Sequence, residues 1–186
     1  MKILYFIPFF IVAGVFISAY GYNIGFQPVY QPPNPLLPYA QLSDSTTQVC
    51  PTITPANVTI NTNDSIYKLS HTSSSHLVTI DESGAYQIIA VPQVGEYTPQ
   101  ANGEWNFWLL INGTKVANTN IKEHIEPQVL TGATFTSTLN WMGYLNENAT
   151  ISFQQLCTST NIGLLATAEG TPPATPSIII SIMRIG

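Results

Sequence analysis

The chain has 186 residues, of which 8% are charged, and its formal net charge is −5. Proteins typically carry about 25% charged residues, and five Lys and Arg residues spread over the whole sequence cannot form a phosphate-binding stripe. The composition therefore argues against nucleic acid as a partner. A surface so poor in charge must be covered by Ser, Thr, Asn and Gln, or by other proteins.

Residues 1–22 form an apolar segment in which Lys2 is the only charged side chain. About 20 residues at a rise of ~1.5 Å span ~30 Å, the thickness of the hydrocarbon core of a bilayer. A cleaved secretory signal is the alternative, with Ala19-Tyr20-Gly21 as a weak cleavage site. Because the apolar part of a signal usually has only ~7–15 residues, we expect a retained transmembrane signal anchor. Lys2 favours an N-terminus on the side of synthesis and a translocated head.

Residues 23–55 are rich in proline and show no apolar period, which predicts an extended linker. At ~3.1 Å per residue, residues 23–49 would reach about 80 Å at full stretch. Interleaved aromatic residues, such as Tyr30 and Tyr39, favour a segment that lies along a neighbouring protein.

Residues 56–186 have the pattern of one all-β domain, because short runs rich in Val, Ile, Thr and aromatic residues alternate with Gly, Asn, Pro and Ser clusters. Asn112-Gly113 between two such runs predicts a hairpin with a type I′ turn. The predicted strands are 58–60, 66–69, 77–80, 85–94, 105–111, 115–118, 135–145, 150–157, 163–167 and 177–185. Ten strands at this spacing indicate a sandwich or a jelly roll.

The last predicted strand is apolar on both faces. Ile178, Ile180 and Ile182 alternate with Ile179, Ser181 and Met183, which predicts a central strand that is covered on both sides. We therefore expect Ile178, Ile180 and Ile182 to contribute to a subunit interface. Alternation also places Phe135, Leu139, Trp141 and Leu145 on one face of their strand.

Two cysteines, Cys50 and Cys157, are present. An even number on the exported side of a membrane favours one disulfide, which would tie the end of the linker to a late strand. A pair of buried free thiols is the alternative.

The order of these strands resembles a known family. The segments that carry the resemblance are Gly84-Ala85-Tyr86, the hairpin at Asn112-Gly113, Ala149-Thr150-Ile151-Ser152-Phe153 and the C-terminal strand after Pro176. They are similar to the trimeric jelly-roll heads of the tumour necrosis factor and complement first-component type, although Asn146-Glu147-Asn148 replaces the Gly-Asp turn that the family usually has. The resemblance implies a homotrimer with the last strand in its core. A signal anchor below such a head resembles minor capsid proteins of large DNA viruses with an internal membrane.

Sequence motifs for catalysis are absent from the chain. His124 and Glu126 would share a face of a strand, but two ligands do not complete a metal site, and a solvated loop is the simpler interpretation. We expect no enzyme activity and no cofactor.

Four N-x-S/T sequons make Asn57, Asn63, Asn112 and Asn148 candidate glycosylation sites. Trp105 and Trp108 would stack on a sugar or, as we expect, fill a core or a subunit interface.

Taken together, these patterns predict a structural protein of a virion: a membrane-anchored minor capsid component that links an internal membrane to a protein shell through a trimeric head. Its partners would be the membrane, copies of itself and shell proteins. The alternative is a cell-surface or secreted module that binds a receptor or a glycan.

Overall fold

A computed structural model of the protein describes residues 36–52, 54–127, 134–167 and 174–186. The predicted anchor, residues 1–22, lies outside these ranges, as does the linker up to residue 35. Within the described ranges no helix is long and apolar enough to cross a membrane. The described residues form the following strands: β1 Tyr39–Asp44, β2 Gln48–Val49, β3 Ala56–Asn57, β4 Thr62–Tyr67, β5 Leu69–His71, β6 Val78–Ile80, β7 Gly84–Glu96, β8 Gly103–Ile111, β9 Thr114–Lys115, β10 Ile121–Ile125, β11 Thr134–Thr136, β12 Leu139–Leu145, β13 Thr150–Cys157, β14 Ile162–Leu164 and β15 Ile178–Arg184.

The strands form two antiparallel sheets. The first has the order β2-β14-β7-β15-β1-β4, with β11 and β12 along the other edge of β7. The second has the order β10-β8-β13-β6-β5, with β3 beside β13 and β9 beside β8. Strand β7, with 13 residues, is long enough to pair with β12 and β11 on one edge and with β15 and β14 on the other.

The topology of the main strands is that of a jelly roll. Eight main strands carry it, and in chain order they are β1, β6, β7, β8, β10, β12, β13 and β15. In the first sheet their spatial order is β1-β15-β7-β12, which are the first, eighth, third and sixth of the eight. In the second sheet it is β6-β13-β8-β10, which are the second, seventh, fourth and fifth. Such an order, in which early strands pair with late ones, arises when a long hairpin of eight strands rolls into two sheets. The expected all-β jelly-roll sandwich is therefore confirmed.

The core lies between the two sheets and is continuous. Trp105, Phe107 and Phe153 of the second sheet form a stack in it, with ring centroids 5.4 Å and 5.3 Å apart. The inward residues of the first sheet complete it, chiefly Leu42, Tyr86, Ile88, Ile180 and Ile182, each at most 1% exposed. Alternation of buried and exposed residues along β1, β7 and β15 fixes which side of each strand faces this core.

The predicted linker needs one correction. Residues 39–44 form β1, which pairs with β15 on one edge and with β4 on the other, so this part of the linker belongs to the sandwich. Ala40 and Leu42 are buried, and Gln41 between them is exposed. Two buried apolar residues are too few to form a recognisable period beside so many prolines, which is why the sequence pattern did not reveal this strand.

Two local predictions are confirmed. Asn112 and Gly113 have φ values of 52° and 73°, as a type I′ turn between β8 and β9 requires. The last strand, β15, is central, with β7 and β1 as neighbours. A third prediction needs a correction. The predicted strand 135–145 is divided into β11 and β12, so Leu139, Trp141 and Leu145 share the inward side of β12, but Phe135 lies on β11.

Candidate functional site

The outward side of the first sheet is a broad surface formed by residues of β4, β1, β15, β7 and β12, and we call it the five-strand face. Its members are Ser65, Tyr67, Tyr39, Gln41, Ser43, Ile179, Ser181, Met183, Ala85, Gln87, Ile89, Val91, Asn140, Met142 and Tyr144. None of its members is ionised, and exposed Asp64 lies beside them at the register shift of the edge strand β4.

The register aligns large side chains across the five-strand face. Tyr67, Tyr39, Met183, Gln87 and Met142 are successive neighbours on adjacent strands and form one row. Within this row the exposed fraction is 49% for Met183 and 63% for Met142. Protein interfaces are enriched in aromatic residues and Met and depleted of charge at their centre. The five-strand face therefore has the composition of a contact surface.

Charged side chains lie at the margin of this face. Glu82 binds both Lys68 and Arg184, the latter at 3.1 Å. The hydrogen bond from Lys68 lowers the pKa of Glu82, and the same bond raises the pKa of Lys68. The Tyr86 hydroxyl donates to the Glu82 backbone oxygen at 2.7 Å, and burial raises the pKa of Tyr86. This cluster closes one end of the sandwich and keeps its charges off the centre of the face.

The predicted interface residues need a correction. Trp105, Ile178, Ile180 and Ile182 are at most 1% exposed and point between the sheets, so they pack inside their own sandwich and reach no partner. On β15 the outward positions are those of Ile179, Ser181 and Met183. The sequence pattern showed two apolar faces, but the side that faces the core depends on which sheet lies opposite.

Trp108 differs from Trp105 because it lies on the outward side of the second sheet. It is 7% exposed and lines a cleft together with Asn106, Lys115, Val116, Asn118, Asn120 and Leu156. The Lys115 ammonium lies over the indole ring, 4.9 Å from its centroid. We call this the Trp108 cleft. Sequence reasoning noted the tryptophan but missed the three asparagines. Asn106 precedes it by two residues on β8, whereas Asn118 and Asn120 adjoin it only because the chain returns after β9.

The predicted disulfide is confirmed, since Cys50 and Cys157 are bonded and both are buried. It joins the segment after β2 to the end of β13, where the Cys157 N–H also donates to the Pro51 oxygen at 2.8 Å.

The four sequon asparagines are all exposed. Asn57 accepts a hydrogen bond from Gln154, Asn63 donates to the His71 oxygen at 3.1 Å, and Asn112 accepts from the Thr150 N–H at 2.8 Å. Asn148 lies in the turn before β13 with a φ of 65°. Their glycosylation stays a prediction.

His124 and Glu126 are in contact at 3.2 Å on the surface beside β10. Strand β10 thus replaces the loop that we considered the simpler interpretation. Among the described residues there is no group of three or more His, Cys, Asp and Glu that could hold a metal ion.

Comparisons with known proteins give little beyond the fold. No protein-family model matches the chain, and no curated protein matches it. Among solved structures, the chain is similar to the globular domain of zebrafish complement 1qA protein, with 9% sequence identity and a TM-score of 0.47. That similarity covers 81% of this chain and 98% of the zebrafish domain.

Proposed function

We propose that this chain is a structural protein whose sandwich is a self-associating head, a homotrimer formed through the five-strand face. The observation that carries the proposal is the lack of ionised side chains on that face, together with its exposed Met and Tyr residues. Exposed apolar patches of this kind mark contact sites more often than free surface.

Charge favours a second copy of the chain as the occupant of this face. The protein has a net charge of −5, so two copies repel each other at most orientations. A face without ionised groups is where copies can approach without burying unpaired charges, which would cost several kcal/mol each. Gln87 and Asn140, which bond each other at 3.2 Å, are polar but need no counter-ion.

The wider role follows from the order of segments in the sequence. A retained anchor at residues 1–22 would hold the membrane, and the proline-rich residues that follow would span a gap to the head. We propose on this basis a virion component that links an internal membrane to a protein shell, with the head on the translocated side. The buried disulfide supports this side, because disulfides persist in oxidising compartments.

A receptor- or glycan-binding module is the second candidate. The Trp108 cleft favours it, since that cleft is open on the sheet that self-association leaves free.

The test of self-association compares two matched variants of the full chain in detergent micelles by sedimentation equilibrium. Met183→Glu places a carboxylate at the centre of the five-strand face, whereas Leu77→Glu places one at a position 39% exposed outside it. We expect trimers for the native chain and for Leu77→Glu, and monomers with an unchanged circular dichroism spectrum for Met183→Glu. A native chain that is monomeric at micromolar concentration, or a Met183→Glu trimer as stable as the native one, would refute the proposal.

A further inference from the structure

The Trp108 cleft is built by a loop that returns across β8. Strand β10 pairs with β8 only as far as Phe107, and β9 pairs with it from Leu110 onward. Between them, the Val116 N–H donates to the Leu109 oxygen at 3.0 Å, and the Leu109 N–H donates to the Thr119 hydroxyl at 3.2 Å. Residues 116–120 therefore form a wall beside the outward side of β8.

The buried side chain of Thr119 fixes the position of this loop. The Thr119 hydroxyl also donates to the Val116 oxygen at 2.8 Å, and Thr119 is 7% exposed. Since these bonds are made within the chain itself, they hold the loop in place, and a ligand would not have to order it. Its volume of about 390 Å³ falls within the range of ~300–1,000 Å³ that is usual for small-molecule sites.

The lining combines one aromatic ring with three carboxamides. Asn106, Asn118 and Asn120 each offer donors and an acceptor, and one of these bonds is used between Asn120 Nδ2 and Asn106 Oδ1 at 3.2 Å. The other lining side chains are Lys115, Val116 and Leu156, so within the described part of the chain neither Asp nor Glu lines the cleft. Carboxamides match ligands that both donate and accept hydrogen bonds, as hydroxyl groups do.

Trp108 carries a polar group without a partner. Its indole N–H is shielded from solvent and meets no hydrogen-bond acceptor among the described residues. A buried donor left in this state is costly and calls for an explanation. The exposed Lys115, whose ammonium lies over the ring, is the side chain that must move before a ligand can reach the ring.

We propose that the Trp108 cleft binds a neutral saccharide unit. Lys115 moves aside, the apolar side of the sugar ring stacks on the indole, the sugar hydroxyls bond the asparagine carboxamides, and one hydroxyl accepts from the indole N–H. The site lies on the second sheet, and it does not depend on self-association through the five-strand face.

The charges around the cleft favour a neutral ligand over an anionic one. Lys115 is the one cation among the described residues that line it, and the neighbouring Lys122 is already paired with Glu104 at 2.8 Å. The net charge of −5 repels phosphate-rich and acidic ligands. A single ammonium cannot replace the several phosphate contacts on which nucleic-acid binding depends.

The test uses the full chain in a detergent without a sugar headgroup. The probes are galactose, mannose, glucose, N-acetylglucosamine and the acidic sugar N-acetylneuraminic acid, each titrated to about 10 mM and followed by saturation-transfer NMR, a range suited to the millimolar affinity of small ligands. We expect at least one neutral sugar to bind saturably. Binding of none of them, or binding of the acidic sugar alone, would overturn the proposal.

Three variants locate the site. Asn120→Ala should weaken binding about tenfold, the worth of one good hydrogen bond, and Asn146→Ala, at an exposed turn, is its matched control. Lys115→Ala removes the side chain over the ring and should strengthen binding about two- to fivefold, because the cation–π contact no longer competes. Loss of neutral-sugar binding in Lys115→Ala would mean that the ammonium itself holds the ligand and does not merely cover the ring. Equal binding by Asn120→Ala and the native chain would place the sugar elsewhere. Either result refutes the proposal, even if a Trp108 variant does not fold.

Discussion

Removal of the disulfide is the change whose effect on stability can be calculated most directly. The bond joins Cys50 and Cys157, which are 107 residues apart. The variant Cys50→Ala/Cys157→Ala removes it without placing a new polar group in the core, where both sulfurs are buried. In the chain-entropy model a cross-link of this length stabilises the native state by about 4.7 kcal/mol, because it restricts the unfolded chain.

Contacts that survive the substitution keep the native state intact. The Cys157 N–H still donates to the Pro51 oxygen at 2.8 Å, and the Tyr97 hydroxyl still donates to the Gln48 oxygen at 2.6 Å. Burial raises the pKa of Tyr97, so this hydroxyl remains a donor at neutral pH. The segment after β2 should therefore stay in place, and the loss of stability should come mainly from the freed unfolded chain. Domains of this size are typically stable by about 5–15 kcal/mol, so a folded but marginal variant is expected.

Guanidinium denaturation followed by tryptophan fluorescence measures the effect. We expect the free energy of unfolding to fall by about 4–5 kcal/mol and the m-value to rise, because the uncrosslinked unfolded chain exposes more surface. The near-UV spectrum should match that of the native protein. A fall of less than about 1 kcal/mol with an unchanged m-value would refute the argument from the unfolded chain.

Three further changes test the packing and the charges in solution. Phe107→Ala removes the middle ring of the aromatic stack and should lower the free energy of unfolding, measured by guanidinium denaturation, by about 3–5 kcal/mol. A loss of less than about 1 kcal/mol would contradict the packing of that stack. Gly163→Ala puts a Cβ against the Tyr97 hydroxyl, 2.8 Å from the Gln48 oxygen and 2.9 Å from the Cys50 nitrogen, and the substitution should lower the free energy of unfolding by at least about 1–3 kcal/mol. Its control is Gly113→Ala, whose added Cβ meets no neighbouring atom among the described residues and which should lower the free energy of unfolding by only about 1 kcal/mol because of the positive φ. A larger loss for Gly113→Ala than for Gly163→Ala would be evidence against the close approach of the chain at Gly163. The folded pKa of Glu82 is lowered by its bond to Lys68, so its contribution is present above the unfolded value of 4.5 and is lost as pH falls through the folded value. The melting temperatures of native protein and Glu82→Gln should thus converge as pH falls below 4.5, and a constant difference would show that the ion pair is not its source.

Most of the second sheet and the middle of the first were predictable from local patterns. Strands β7, β8, β13 and β15 have strong runs of β-branched and aromatic residues, and the Asn-Gly turn fixed one hairpin without any tertiary information. The short strands β2 and β3 have two residues each and exist only because a neighbouring strand pairs with them. No local pattern distinguishes such a pair from a loop.

The candidate sites were less predictable for a different reason. On β15 both faces are apolar, so alternation identifies two sets of residues but does not show which set faces the core. That choice is made by the opposite sheet, whose Phe107 and Phe153 fill the space beside the inward isoleucines. The Trp108 cleft depends on Asn118 and Asn120, which follow the tryptophan by a hairpin and a loop. Their proximity arises from the return of the chain, which has no signature in sequence spacing.

The two outward sheet faces have opposite chemistry, and this division bears on both proposals. The second sheet carries the ion pair Lys122–Glu104 and the contact between His124 and Glu126 around the Trp108 cleft, whereas the described members of the five-strand face include no ionised group. Self-association through the first sheet would leave every copy of the cleft on the outside of the oligomer. A single cleft of this size with one aromatic ring would bind a sugar weakly. Three clefts on one trimeric head can bind to the same sugar-coated surface at once. The avidity can then exceed the affinity of a single cleft by about 10²–10⁴. The Met183→Glu monomer should therefore keep the millimolar affinity for free sugar yet lose binding to a sugar-coated surface, which separates the two proposals in one variant.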